Sequence, residues 1–173
     1  MRVHLLRAVN VGGATLPMAE LRALATDLGA TDVTTYIASG NLLCTPPGAP
    51  ADFDRALERA VEERFGFFRE VVSRDVDELR AALDAHPFEV VDARFSHVYF
   101  LLDVPDPAAV RAFEAADWGR DEVRVLGRDL HIRYADGVAG TRLTPARIAK
   151  ALGHHGTGRN LSTVARLVDL ASA

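Results

Sequence analysis

The chain has 173 residues, 49% of them apolar and 25% charged, with a net charge of −4, which suits one compact domain or two small lobes burying roughly 70% of the unfolded surface. A single cysteine, Cys44, excludes an internal disulfide, so a reducing compartment is expected. Arg7 and Asn10 interrupt the N-terminal apolar run and no stretch approaches about 18 uninterrupted apolar residues, so neither a signal peptide nor a membrane span is expected, and the protein is assigned to the cytoplasm.

In chain order, residues 2–9 read as a strand, ending at Asn10-Val11-Gly12-Gly13. Residues 17–28 read as a helix: Pro17 suits a first turn, Met18, Leu21, Leu24 and Leu28 share a face, and Gly29 suits the exit. A strand over 32–38 and another over 41–45 meet across Ser39-Gly40, a two-residue hairpin signal. After Pro46-Pro47-Gly48, residues 52–65 repeat Phe53, Leu57, Val61 and Phe65 at helical spacing, and 68–74 read as a strand. The order β-α-β-β-α-β over residues 1–74 is that of the split βαβ, ferredoxin-like arrangement.

Residues 75–173 form the second α+β lobe. A helix over 75–85 closes at His86-Pro87-Phe88, and 97–102 is the next strand. Pro105 and Pro107 lead into a helix reaching Trp118, then 123–126 and 130–134 form a hairpin about Gly127-Arg128. Thr144 caps a helix over 145–152, with Pro145 first inside and Gly153 at its end. Residues 154–160 read as a glycine-containing loop before a final helix carrying Leu161, Val164, Leu167, Val168 and Leu170, so this lobe reads βαββα with C-terminal helices. No low-complexity linker separates the halves, which are expected to pack together.

In a ferredoxin-like sheet the first strand ends beside the hairpin of the second and third, with neighbouring strands ~4.8 Å apart. Asn10, Gly12, Gly13, Ser39, Gly40 and Asn41 are thereby expected around one patch. Glycine turns let backbone N–H groups face outward, so such a patch can accept an anion without a cationic side chain. The plainer reading is that the glycines only supply turn angles. Arg7, expected on a central strand, needs either an internal ion pair or a ligand.

Leu6-Arg7-Ala8-Val9-Asn10-Val11-Gly12-Gly13, then Met18-Ala19-Glu20-Leu21-Arg22, Thr35-Tyr36-Ile37-Ala38-Ser39-Gly40-Asn41, and later Thr157-Gly158-Arg159-Asn160-Leu161-Ser162-Thr163-Val164 resemble the motifs of the bacterial DUF1697 family. The chain departs from the family pattern at Ala8, Ala38 and Leu161, where glycine, glutamine and tryptophan are usual. The resemblance implies a two-lobed α+β fold with a ferredoxin-like N-terminal lobe and brings no activity with it. Its motif positions fall on Arg7, Asn10, Gly12, Gly13, Ser39, Gly40, Asn41, Arg159 and Asn160. They suggest a shared ligand site or a hydrogen-bonded seam between the lobes, with Arg159 and Asn160 closing a crevice from the final helix.

Other chemistry finds less in the residues. Ser39 or Cys44 as a nucleophile needs a base that no motif supplies. His154-His155 lack the spaced partners of a zinc site, and Asp75, Asp77 and Glu78 read as a helix start, so no metal or cofactor is expected. Phe53, Phe65, Phe67 and Phe68 read as core, leaving no aromatic platform for RNA on the central strands. Between Asp136 and Asp169 there is no acid, while Arg142, Arg147, Lys150, Arg159 and Arg166 are basic. Phosphate contacts from Arg147, Lys150, Arg159 and Arg166 are thus a possible route to nucleic acid. The expected role is binding of a small anionic or nucleotide-type ligand at residues 10–13 and 39–41. The alternatives are a transferase or hydrolase acting in the same crevice and a nucleic-acid-associated protein.

Overall fold

Every residue of the first strand after Arg2 is buried in the computed structural model, which describes all 173 residues. This strand, β1 (Arg2–Leu6), is followed by α1 (Met18–Asp27), β2 (Thr31–Tyr36), β3 (Asn41–Thr45), α2 (Pro50–Phe65) and β4 (Val71–Asp75). The sheet order is β2-β3-β1-β4 with all neighbours antiparallel, consistent with the expected split βαβ arrangement. Period-two alternation puts Leu6, Leu42, Cys44 and Val71 on one face, where they meet Leu21 and Ala25 of α1 and Phe53, Leu57 and Val61 of α2. Gly66 ends α2 in the left-handed region at φ 75°, its N–H bonding the Glu62 carbonyl at 2.8 Å.

Helix α3 (Val76–Asp84) leads to β5 (Ser96–Leu101), α4 (Pro107–Ala115), β6 (Glu122–Leu126), β7 (Asp129–Arg133), α5 (Pro145–Leu152), β8 (Gly156–Asn160) and α6 (Leu161–Ser172). The second sheet is also antiparallel, in the order β6-β7-β5-β8. Its core joins Tyr99, Leu101, Leu130 and Ile132 to Phe113, Ile148 and Leu152 of α4 and α5. The protein is α+β, with two four-stranded antiparallel sheets and six helices. The chain divides into one unit of Met1–Leu79 with Leu167–Ala173 and another of Arg80–Arg166.

Several sequence expectations need correction. Residues 156–160 are not a loop but edge strand β8, paired with β5 from His97↔Asn160 to Leu101↔Gly156, so the second half is βαββαβ. Gly156 and Gly158 hide the strand from a propensity reading. They are there because a Cβ on Gly156 would meet the Tyr99 ring at 2.7 Å and the Phe100 carbonyl at 2.5 Å. The first strand stops at Leu6, because Ala8 and Asn10 turn into positive φ, leaving Arg7 just beyond it. The first hairpin is longer than two residues: Tyr36 pairs Asn41 directly, so residues 37–40 all belong to the turn. Phe68 is 44% exposed rather than core, whereas Phe53 is buried and Phe65 and Phe67 pack against the core. Helix α4 ends at Ala115, short of Trp118, whose indole N–H bonds the Phe113 carbonyl at 2.7 Å.

The hairpin about Gly127-Arg128 and the bounds of α5 match their expectations, and Thr144 Oγ1 accepts the Arg147 N–H at 3.3 Å. Thr144→Ala leaves that first-turn donor without its cap, and is expected to lower stability by about 1 kcal/mol in urea unfolding. A change below about 0.3 kcal/mol would mean that water replaces the hydroxyl without loss.

Candidate functional site

Because β1 lies between β3 and β4, the end of β1 shares one rim of its sheet with the start of each neighbour. Three segments meet there: residues 7–16, the turn 37–40, and residues 67–70. The contacts are specific. The Leu6 N–H bonds the Gly40 carbonyl at 2.9 Å, the Arg7 N–H the Glu70 carbonyl at 3.0 Å, and Arg69 Nε the Ala8 carbonyl at 3.1 Å.

Asn10 ties the first two segments together. Its amide donates to the Ala38 carbonyl at 2.6 Å and the Leu16 carbonyl at 3.0 Å, and its Oδ1 accepts the Leu16 N–H at 2.8 Å. Asn41 is fully buried and donates to the Tyr36 carbonyl and to Ser39 Oγ, each at 3.0 Å. These two asparagines hold the rim in shape with the amides expected to orient a ligand. Gly40, at φ 80°, lies so close that a Cβ would stand 2.6 Å from Val9 Cγ2 and 3.0 Å from Leu6 Cβ. Around Gly12 and Gly13, at φ 58° and 85°, there is only open space.

The outer surface of this rim carries donors. The N–H groups of Val11, Gly12 and Gly13 bond no acceptor within the protein, and all three residues are exposed. Arg7 forms an ion pair, its NH1 meeting Glu70 Oε2 at 3.1 Å, while its Nε is buried with no hydrogen-bond partner. A second cation, Arg69, bonds the Phe68 carbonyl through NH1 at 2.7 Å and lies 5.0 Å over the Phe67 ring. Its signal in the sequence is Phe67-Phe68-Arg69, an apolar and cationic cluster directly before edge strand β4.

The backbone here is strained and the surface partly apolar. Ala8, Asn10 and Ile37 adopt φ of 49°, 56° and 49°. A β-branched residue at positive φ is an outlier, and each such residue costs of order 1–3 kcal/mol. Val11, Ile37 and Phe68 are 60%, 51% and 44% exposed.

Arg159 and Asn160 belong to the other unit, at the end of β8. Arg159 is buried and donates to Thr157 Oγ1 at 2.7 Å and the Gly158 carbonyl at 2.8 Å. Burial pulls its guanidinium down to about 10, still far enough above neutrality to keep the charge. Asn160 Oδ1 accepts the Thr163 N–H at 2.8 Å and so caps the start of α6. Of the other tail cations, Arg147 and Lys150 on α5 and Arg166 on α6 are exposed.

The reactive side chains lie elsewhere. Cys44 is fully buried, and burial pushes its thiol up to about 12, which holds it as a neutral thiol. Asp54 accepts Ser73 Oγ at 2.7 Å and meets His4 Nδ1 at 2.6 Å, all within the core. The carboxylate, not the imidazole, occupies the middle of that chain, so the imidazole does not activate the hydroxyl as it would in a hydrolytic triad. No three His, Cys, Asp or Glu side chains are grouped to hold a metal ion, and no helix is long and apolar enough to cross a membrane.

Comparison with known proteins places the molecule among relatives of the same fold. A family model described as a protein of unknown function, DUF1697, matches residues 1–131. None of the curated proteins matches. A solved structure described as the conserved bacterial protein SP0830 from Streptococcus pneumoniae superposes with a TM-score of 0.73, at 22% identity over 99% of this chain and 98% of that one.

Proposed function

Since the chain belongs to the DUF1697 family, which carries no activity with it, we propose from the geometry that it binds a small anionic, nucleotide-type ligand at the rim formed by residues 7–16, 37–40 and 67–70. The observation that carries this reading is the run of three exposed, acceptor-free N–H groups at Val11, Gly12 and Gly13 on the same rim as the Arg7 and Arg69 guanidinium groups. Successive N–H groups in a turn form a concavity suited to phosphate or carboxylate oxygens. The guanidinium groups add charge, and exposed Val11 and Ile37 offer an apolar surface to a base or other ring. Asn10, Ser39, Gly40 and Asn41 act indirectly, by fixing the turn that presents those donors.

We place its action in the cytoplasm, where its one cysteine would stay reduced. Pyrophosphate and AMP, titrated by calorimetry, test the site. Both are expected to bind, with Arg69→Ala weakening each at least about tenfold through loss of a charge-assisted contact. Arg7→Gln is expected to act in the same direction. Absence of saturable binding at millimolar concentration, or affinity untouched by both substitutions, would overturn the reading.

A further inference from the structure

A cavity of about 400 Å³ opens within the unit of Arg80–Arg166, lined by Val91, Asp92, Phe95, Ser96, Arg133, Tyr134 and Ala135. Its volume lies in the lower part of the range of about 300–1,000 Å³ usual for small-molecule sites. We propose that this cavity is a second ligand site, separate from the rim, which takes a small amphipathic carboxylate with its apolar body inside and its carboxylate on Ser96 and Arg133.

The floor supplies the first argument. Ser96 opens β5 opposite Arg133 of β7, and only 1% of it is exposed. Its hydroxyl has no hydrogen-bond partner. A buried hydroxyl left unpaired is unfavourable, and an acceptor atom entering the cavity would satisfy it. The charge comes from Arg133. Its Nε bonds the Glu122 carboxylate, while its two terminal nitrogens take no partner, leaving one edge of the guanidinium for a bidentate carboxylate. Asp92, the acidic group of the lining, does not oppose that charge freely. Arg94 grips it through Nε at 3.1 and 3.2 Å and NH2 at 2.7 Å, holding its carboxyl below the usual carboxylate range.

The walls and mouth select for an apolar body. Phe95, Tyr134, Val91 and Ala135 surround the space, and Tyr134 is nearly all buried. Val90, Val91 and Phe95 are 47%, 77% and 38% exposed beside the opening, in the segment that leads into β5. Contiguous apolar exposure of this kind marks a binding site more often than a neutral surface. The Tyr134 N–H bonds the Phe95 carbonyl at 2.8 Å, so the two aromatic walls are pinned to each other through the backbone. Gly137 lies close behind Phe95, where a Cβ would come within 3.3 Å of the ring. A preformed apolar slot with a hydroxyl and a half-free guanidinium suits a medium-chain or aryl carboxylate better than a phosphate, whose larger charge would meet the carboxylates of Glu122 and Asp92.

Decanoate and decanol, titrated into the full chain and followed by amide chemical shifts, test this. Decanoate is expected to bind saturably, with shifts centred on Val91, Phe95, Ser96 and Tyr134, and decanol at least about tenfold more weakly. Arg133→Met, which keeps the packed stem but removes the charge, is expected to abolish that difference. Ser96→Ala is expected to weaken decanoate several-fold, and Ala135→Trp to exclude both probes. Saturable shifts located elsewhere, decanol binding as tightly as decanoate, or an unchanged preference in Arg133→Met would each overturn the proposal. Arg133→Met changes only a partly exposed side chain, so its result stands even if Ala135→Trp fails to fold.

Discussion

Gly156→Ala is expected to destabilise the protein by about 3 kcal/mol, seen as a lower midpoint in urea unfolding with little change in slope. The reason is steric. A Cβ at this position would stand 2.5 Å from the Phe100 carbonyl oxygen, 2.7 Å from Tyr99 Cε1 and 3.0 Å from Tyr99 Cδ1. The carbonyl is backbone of the neighbouring strand, so relief requires β8 to move away from β5 and lengthen their shared ladder. Gly158→Ala is expected to be milder, because its nearest contact is a ring carbon at 3.2 Å and a ring can tilt. Gly12→Ala provides a contrast of mechanism: nothing lies within 4 Å, and only the φ of 58° opposes it, a cost of about 1–2 kcal/mol. Combining Gly156→Ala with Tyr99→Leu should recover part of the loss and not all of it. A Gly156→Ala protein as stable as the parent would show that β8 does not approach β5 so closely.

The same glycines explain what a reading of the residues could and could not reach. Helices α2 and α5 and the hairpin about Gly127-Arg128 are legible because capping, period and turn chemistry agree there. β8 is illegible because Gly-Thr-Gly-Arg-Asn has no strand period or propensity. Its place is set by the flat face of Tyr99, a residue more than 50 positions earlier in the chain. The convergence of Asn10 with the turn at 37–40 follows from topology alone, since any split βαβ sheet brings those ends together. What topology cannot state is where each side chain spends its hydrogen bonds. Asn10 and Asn41 turn inward to backbone carbonyls, while the outward donors are main-chain N–H groups that no residue letter reveals.

Acidification is expected to remove about 2–3 kcal/mol of stability between pH 7 and pH 4.5, with His131 the largest single cause. His131 on β7 is fully buried, with its Nδ1 3.2 Å from Nδ1 of His86. Burial first, and the neighbouring His86 second, pull its pKa down to about 4 from an ordinary 6.5. As pH falls below 6.5 the unfolded chain takes up a proton that the folded chain refuses until about pH 4, so the equilibrium shifts toward unfolding over that window. Above pH 7 both states hold the neutral imidazole and the effect is absent. His86 and His97, each lowered chiefly by burial, act with the same sign. Glu58 acts with the opposite one, because burial raises its carboxyl and the folded state gains that proton before the unfolded state does. The decisive comparison is the pH dependence of urea unfolding in the parent and in His131→Leu, whose slope should be shallower by up to about 1.4 kcal/mol per pH unit. Identical slopes in the two proteins would mean that His131 accepts its proton as readily in the fold as in the open chain.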